Sequence, residues 1–327
     1  MFNIPTFAEL NFYYSTIMAP IKYLLLIIFC FSTGLFFSQT GPGGVGSTDG
    51  SSDLVLWLNA DETGNTNSIW KDQSGYGFDF SNGSGAVLNT NNVNGYSSYA
   101  FNGSNNYFEK SFESDLNPDE FSIFSTTKVL SSSGYKTILS SRNEYYSSGR
   151  LNIEGFILYA IPYTNYFSFW TGKHNSTWAT VGDNQSTAGA WAAQNLYYKN
   201  GANGKRLFVN NDLSEEATQT MNVNVNKPFR IGAGRNESTP AYYYKGDIGE
   251  IIMYNSVLNE AQKIIVNNYL SAKYNFNLAT NDLYTQDNLA NGNFDHNVAG
   301  IGSVDNDNEH LDSQGTGIIR ISKSGLA

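Results

Sequence analysis

The sequence predicts an all-β protein, an antiparallel β-sandwich closed by one short helix near its C-terminal end. Three observations predict it. Phe, Tyr and Trp supply 15% of the 327 residues, while Asp, Glu, Lys and Arg together also reach only 15%, against about 25% in an average soluble protein. Aromatic side chains favour the half-buried, pleated surface of a sheet. Short apolar and β-branched runs recur at 54–58, 98–102, 107–110, 121–129, 136–140, 155–161, 166–170, 191–198, 205–209, 229–232 and 247–254, separated by clusters of Gly, Asn, Ser and Asp. That spacing belongs to a sandwich or barrel. Asn102-Gly103, Asn200-Gly201 and Asn203-Gly204 are turn formers, because Asn and Gly tolerate positive φ. Finally, one segment alone has helical spacing: in 259–274, Ile264, Ile265, Tyr269 and Leu270 recur near one helical face, with Asn259 as N-cap and Asn275 at the exit. Its position directly after the last strong strand predicts packing on an edge of the sandwich.

Composition also excludes functions. With 29 acidic and 19 basic residues the formal charge is −10, and the scattered Lys and Arg form no basic surface that would release counterions from a polyphosphate. Nucleic acid and anionic membrane surfaces are therefore excluded as partners. His174, His296 and His310 stand apart from any GxSxG elbow and show no HxH or HExxH spacing, which argues against nucleophile triads and zinc. Cys30 is the single cysteine, so disulfides are not available.

The apolar run 23–37 follows Lys22 and ends before Ser38-Gln39, the pattern of a signal peptide occupying 1–39. Met18 would start a leader of ordinary length, so 1–17 fits an upstream start. A single membrane anchor is the alternative, since the run and its flanks approach the roughly 20 residues that span a bilayer. Cleavage implies a secreted, extracellular protein with no membrane insertion and, with Cys30 removed, no thiol. Residues 40–52 are Gly/Ser-rich and read as a flexible linker. The principal domain covers 53–275. From 277 the composition shifts to Asn, Asp and Gly, and the alternating run 317–322 requires sheet partners. Residues 276–327 thus read as the truncated start of a second β-module, with further domains of a longer chain, attached to the cell surface or free, as expected partners.

The ordered segments FNGSNNYFE (101–109), DEFSIFSTTKV (119–129), KTILSS (136–141), WAAQNLYYKNGANGKRLFVNN (191–211), FRIGAG (229–234) and KGDIGEIIMYNSVLNEAQ (245–262) resemble the laminin-G-like, or concanavalin-A-like, jelly roll. In that family a "GxIDEvxiYnraLs" strand and a short helix close the domain. Gly246, Ile248, Glu250, Tyr254, Asn255 and Leu258 match, while Gly249 stands where the family usually has Asp. The resemblance covers about 53–275. GPGGVG, LVLWLNADE, WKDQSGYGFDF and the tail NVAGIGSVDNDNEHLDSQ also resemble large surface proteins of gliding or marine-type, Bacteroidetes-type bacteria. The resemblance implies a secreted, non-catalytic module for carbohydrate binding or cell adhesion, with a polysaccharide or glycoprotein glycan as ligand. The alternatives are a structural spacer in a large adhesin and a divergent jelly-roll glycoside hydrolase.

Jelly-roll glycosidases carry alternating carboxylates on one strand, and retaining cleavage needs two carboxyls about 5 Å apart. Asp247-Ile248-Gly249-Glu250 supplies one pair in opposite strand phase, so the sequence predicts no enzyme, and Glu250 reads as a structural acid. No cofactor is required, although hard cations take oxygen ligands and Asp72 and Asp79 are candidates for a structural calcium. Asp305-Asn306-Asp307-Asn308-Glu309 resembles the start of a calcium loop, but His310 replaces the required Gly. Sugars stack their C–H faces on rigid Trp and Tyr rings. In Tyr166-Phe167-Ser168-Phe169-Trp170 the period of two places Phe167 and Phe169 toward the core, and Tyr166 and Trp170 on the opposite face. Tyr163, Trp178, Tyr242 and Tyr244 complete the candidate ligand set, while Trp57, Trp70 and Trp191 are assigned to the core.

Overall fold

A computed structural model describes residues 40–130, 133–173, 177–185, 187–315 and 320–323. The proposed leader, Cys30 and His174 lie outside the described residues. In chain order the strands are β1 (Leu54–Asn59), β2 (Ile69–Trp70), β3 (Phe80–Ser84), β4 (Val87–Val93), β5 (Tyr96–Asn102), β6 (Tyr107–Lys110), β7 (Phe121–Val129), β8 (Lys136–Ser140) and β9 (Asn143–Ser147). They continue as β10 (Arg150–Glu154), β11 (Phe156–Ala160), β12 (Phe167–Lys173), β13 (Thr177–Gly182), β14 (Trp191–Tyr198), β15 (Lys205–Val209), β16 (Asp212–Ala217), β17 (Phe229–Ile231) and β18 (Lys245–Tyr254). One helix, α1 (Glu260–Tyr274), follows.

Two antiparallel sheets result. The first runs β16-β15-β14-β7-β18-β5-β4, with β1 also on β18, and the second runs β13-β12-β11-β8-β17-β6-β3-β2. A register shift between Ile248 and Glu250 divides β18, so that Lys245–Ile248 pairs with β5 and Glu250–Tyr254 with β1. The hairpin β9-β10 stands outside both sheets.

Alternation along the strands sorts the side chains. Leu56, Phe121, Phe156, Phe169, Ile231 and Ile251 fill the space between the sheets, each stabilising the fold by about 1.5–3 kcal/mol relative to exposure. The intervening residues Trp57, Phe124, Tyr197, Ile252 and Tyr254 make a second apolar layer with Val266, Tyr269, Leu270 and Tyr274 of the helix. The helix therefore crosses the outer face of the first sheet, not an edge as its sequence position suggested. The cause is that β1, β7, β14 and β18 also carry the apolar side chains Trp57, Phe124, Tyr197, Ile252 and Tyr254 on their outer side, which needs cover.

Local chemistry fixes the helix ends as read from sequence. Asn259 accepts from Gln262 N, and the Gln262 side chain accepts from Asn259 N, a capping box. Asn275 ends the helix in the left-handed conformation at φ 50°.

The Gly-rich lead-in is packed where the sequence suggested flexibility. Gly41–Val45 is buried, and a Cβ on Gly43, at φ +66°, would lie 3.0 Å from Ile265 Cγ2, while one on Gly44 would overlap Ser313. Missing side chains let the backbone pass between the helix and the tail. The tail lies against the same surfaces. His310 Nε2 is 2.9 Å from Gly44 O, and Asn259 Nδ2 donates to Glu309 O at 2.9 Å. The tail's short hairpin strands are Gly302–Asp305 with Asn308–His310, and Asp312–Ser313 with Ile321–Ser322.

Candidate aromatic binding cleft

On β11, Phe156, Leu158 and Ala160 enter the core, which turns Tyr159 to the outer face of the second sheet. On β12 the same alternation buries Phe167 and Phe169 and turns Ser168 and Trp170 outward, the phase that the sequence predicted. Around Trp170 and Tyr159, the residues Tyr135, Arg142, Glu144, Trp178 and Tyr242 complete a cleft of about 180 Å³.

Several of the rings meet nearly at right angles, while Trp170 and Trp178 are tilted at 51° with centroids 6.2 Å apart. Tyr159 lies 5.3 Å from Trp170 at 84° and 6.0 Å from Tyr242 at 82°, and Tyr135 lies 6.0 Å from Trp170 at 78°. Edge-to-face contact is the favourable aromatic geometry. Trp170 donates its indole N–H to Ser168 Oγ at 2.8 Å, and Trp178 donates to Glu144 Oε1 at 2.6 Å. Both indoles are thereby fixed at their edges.

Arg142, only 6% exposed, ties the polar wall together. Its Nε and Nη2 donate to the two oxygens of Glu237 at 3.2 and 3.1 Å, and Nη2 lies 2.7 Å from Glu144 Oε2. Its guanidinium also stacks on Trp178 at 5.7 Å. Burial pushes the Tyr159 hydroxyl up to about 12, opposed by the adjacent Arg142, so the phenol stays neutral and keeps its proton for donation.

The structure thus brings together Trp170, Trp178 and Tyr242 of the sequence-predicted set. Tyr166 is half-buried and Tyr163 exposed at a turn; neither lines the cleft. Tyr244 is a correction: it is fully buried in the core, 5.8 Å from Phe101. Tyr242 has φ +57°, and this left-handed residue resets the alternation so that Tyr242 and Tyr244 point to opposite sides. Trp57 and Trp70 are buried as expected, while Trp191 is half-buried and stacks on Tyr274 at 5.6 Å.

Sequence reasoning missed Tyr135, Arg142, Glu144 and Tyr159. A signal existed for Arg142 and Glu144: Ser148-Gly149, with φ 51° and 74°, is the turn of the β9-β10 hairpin.

Elsewhere the candidate acids serve the fold. Asp72 accepts from the amides of Trp57, Ser74 and Phe78 and from the Ser74 hydroxyl; Asp79 accepts from Asp72 N and Lys71 Nζ. All four carboxylate oxygens are occupied by protein donors. Among the described residues no three His, Cys, Asp or Glu side chains converge as a metal site. Glu250, with no exposed surface, accepts from Trp57 Nε1 at 2.5 Å, Tyr269 OH at 2.9 Å, Lys273 Nζ at 2.7 Å and Tyr274 OH at 3.1 Å. It lies under the helix, its carboxylate committed to these four donors.

Two stacked antiparallel sheets with one closing helix define a jelly-roll sandwich. Residues 102–262 match the model of the concanavalin A-like lectin/glucanases superfamily, in its laminin-G form, and this domain belongs to that superfamily. No curated protein sequence matches the chain. Among solved structures it is similar to the binding domain of botulinum neurotoxin DC in complex with SialylT (12% identity, TM-score 0.49, 67% of this chain and 51% of that one). It is also similar to domain 4 of an extracellular arabinanase from Geobacillus stearothermophilus in complex with arabinotriose (15%, 0.48, 65% and 97%). A third is a Trypanosoma rangeli sialidase (14%, 0.45, 71% and 35%). The chain spans about half the length of the neurotoxin structure, 51%. No described helix is long and apolar enough to cross a membrane.

Proposed function

We propose that this protein is a secreted, non-catalytic carbohydrate-binding module that holds a polysaccharide or glycoprotein glycan in the Trp170 cleft. One observation carries the reading: five aromatic rings converge with Arg142 and Glu144 on the outer face of one sheet. Rigid rings offer apolar area to sugar C–H faces, and the polar wall orients hydroxyls. At about 180 Å³ the cleft is smaller than pockets for drug-sized ligands, which begin near 300 Å³, and suits a single sugar residue of a chain. The superfamily supports the class of ligand.

The test is affinity electrophoresis against a panel of polysaccharides, run with calcium and with chelator. Retardation by at least one polymer, lost in Trp170→Ala, is the expected result. A chelator-sensitive retardation would add a structural calcium in the loops. Migration unaffected by every polymer would reject the reading and favour a spacer domain.

A further inference from the structure

The charges around the cleft narrow the ligand class, on the assumption that the cleft binds glycans as proposed above. Arg142 is the single basic side chain among the described lining residues. Its Nε and Nη2 edge faces Glu237, Nη2 also meets Glu144, and the guanidinium lies beside the Tyr159 hydroxyl. Glu144 is itself committed, through its other oxygen, to the Trp178 indole. The guanidinium fork that would grip a carboxylate or sulfate is therefore already filled by protein carboxylates.

One arginine against Glu144 and Glu237 leaves 1 − 2 = −1 at this wall, and the chain carries −10. An acidic sugar would bring a second uncompensated negative charge into a partly desolvated cleft, with no free cation among the described lining residues to meet it. The remaining lining residues, Tyr135, Tyr159, Trp170, Trp178 and Tyr242, are uncharged and offer rings and polar N–H and O–H groups, which match sugar C–H faces and hydroxyls. Thr137 Oγ1 is buried without a partner. A Cβ at Gly234 would sit 2.9 Å from that oxygen, 3.4 Å from the Tyr242 ring and 3.6 Å from the Tyr159 hydroxyl. Glycine at 234 thus lets the Thr137 hydroxyl, the Tyr242 ring and the Tyr159 hydroxyl pack closely behind that lining.

We infer that the cleft selects uncharged glycans and excludes uronic, sialic and sulfated ones, with Arg142 as a positioning residue that holds Glu144 and Trp178.

The experiment compares retardation of the protein by neutral polymers (a β-glucan, a xylan, a mannan) and acidic polymers (polygalacturonate, alginate, a sulfated galactan) at physiological salt. Retardation by a neutral polymer and none by the acidic ones is expected. In Glu237→Gln the wall charge becomes zero and the Arg142 edge is released, so affinity for an acidic polymer should rise about tenfold or more, the scale of one charge-assisted pair. Trp170-dependent binding of an acidic polymer by the unmodified protein would overturn the selectivity while leaving glycan binding intact. Absence of any gain in Glu237→Gln would overturn the role given to Arg142. Failure to bind any polymer would overturn both the selectivity and the function on which it rests.

Discussion

A Cβ on Gly249 would overlap Cε1 and Cζ of Tyr274. Gly249 is the residue at which β18 shifts register, and it occupies the place where the superfamily resemblance leads one to expect Asp. Tyr274, fully buried at the end of the helix, fills the volume that an Asp side chain would need. Gly249→Asp should therefore destabilise the domain by about 3 kcal/mol or more, combining overpacking with an unpaired buried carboxylate. Urea unfolding of the variant checks this. Near-native stability would show that Tyr274 moves aside at little cost.

Beneath Tyr274, the Glu250–Lys273 pair at 2.7 Å is nearly solvent-free, with side chains 0% and 4% exposed. Removing one member leaves the other charge buried, so Glu250→Ala should cost about 3–5 kcal/mol. The double variant Glu250→Gln with Lys273→Met should lose much less than the sum of its single variants. A double-mutant cycle by chemical denaturation measures the difference, and strict additivity would show that the two charges are not coupled.

A half-buried aspartate and a buried lysine give stability a pH dependence of opposite slopes. Burial pushes Asp183 up to about 7, against the hydrogen bond from Phe167 N, and its Oδ2 has no partner. The folded state then holds a proton that the unfolded chain releases, so stability falls as pH rises from about 4 to about 7. Burial also pushes Lys205 down to about 7, opposed by the Glu215 carboxylate; among the described residues its Nζ donates to Thr171 Oγ1 and Ala179 O and lies over the Phe169 ring. There the unfolded chain holds the extra proton, so stability rises between about 7 and the ordinary lysine range near 10.4. Unfolding midpoints at pH 5, 7 and 9 should show a minimum near neutrality. Asp183→Asn should flatten the acid side and Lys205→Met the alkaline side; unchanged slopes in both variants would rule out these residues as the cause.

In the cleft, Trp170 contributes ring area and only one hydrogen bond, to Ser168. Trp170→Ala should reduce glycan affinity about tenfold or more, the scale of a central aromatic contact, while the cooperative unfolding transition is retained. Equal affinity in the variant would move the site away from this face. Trp178→Phe keeps a ring but loses the bond to Glu144, and should weaken binding less than Trp170→Ala, as titration against the same polymer would show.

The sandwich was legible in the sequence because its central strands are nearly continuous runs of apolar and β-branched residues. Runs such as 121–129 and 247–254 each pair on both sides within the sheet, and burial on both faces makes them apolar enough to recognise. The helix was legible for a local reason, its Asn259 and Asn275 caps. The phase of Tyr166 to Trp170 followed from the period of two alone, and Phe167 and Phe169 do enter the core.

Other features depended on contacts distant in sequence. Strands β9, β10 and β13 are half-exposed and polar, so their hydrophobic pattern is faint, yet they bring Glu144 and Trp178 to the cleft. Tyr242 and Tyr244 have the same residue type and the same spacing from any strand phase, and only the positive φ at Tyr242 separates the surface ring from the core ring. Glu250 and Asp72 have carboxylates like any others in the sequence, but Trp57, Tyr269, Lys273 and Tyr274 close over one, and the amides of Trp57, Ser74 and Phe78 over the other. Alternation and capping are encoded within a few neighbouring residues, so the sequence by itself determined the sandwich, its helix and the outward face of Trp170. The use of each aromatic ring and acid depends on partners up to 209 residues away, and only the tertiary structure decided it.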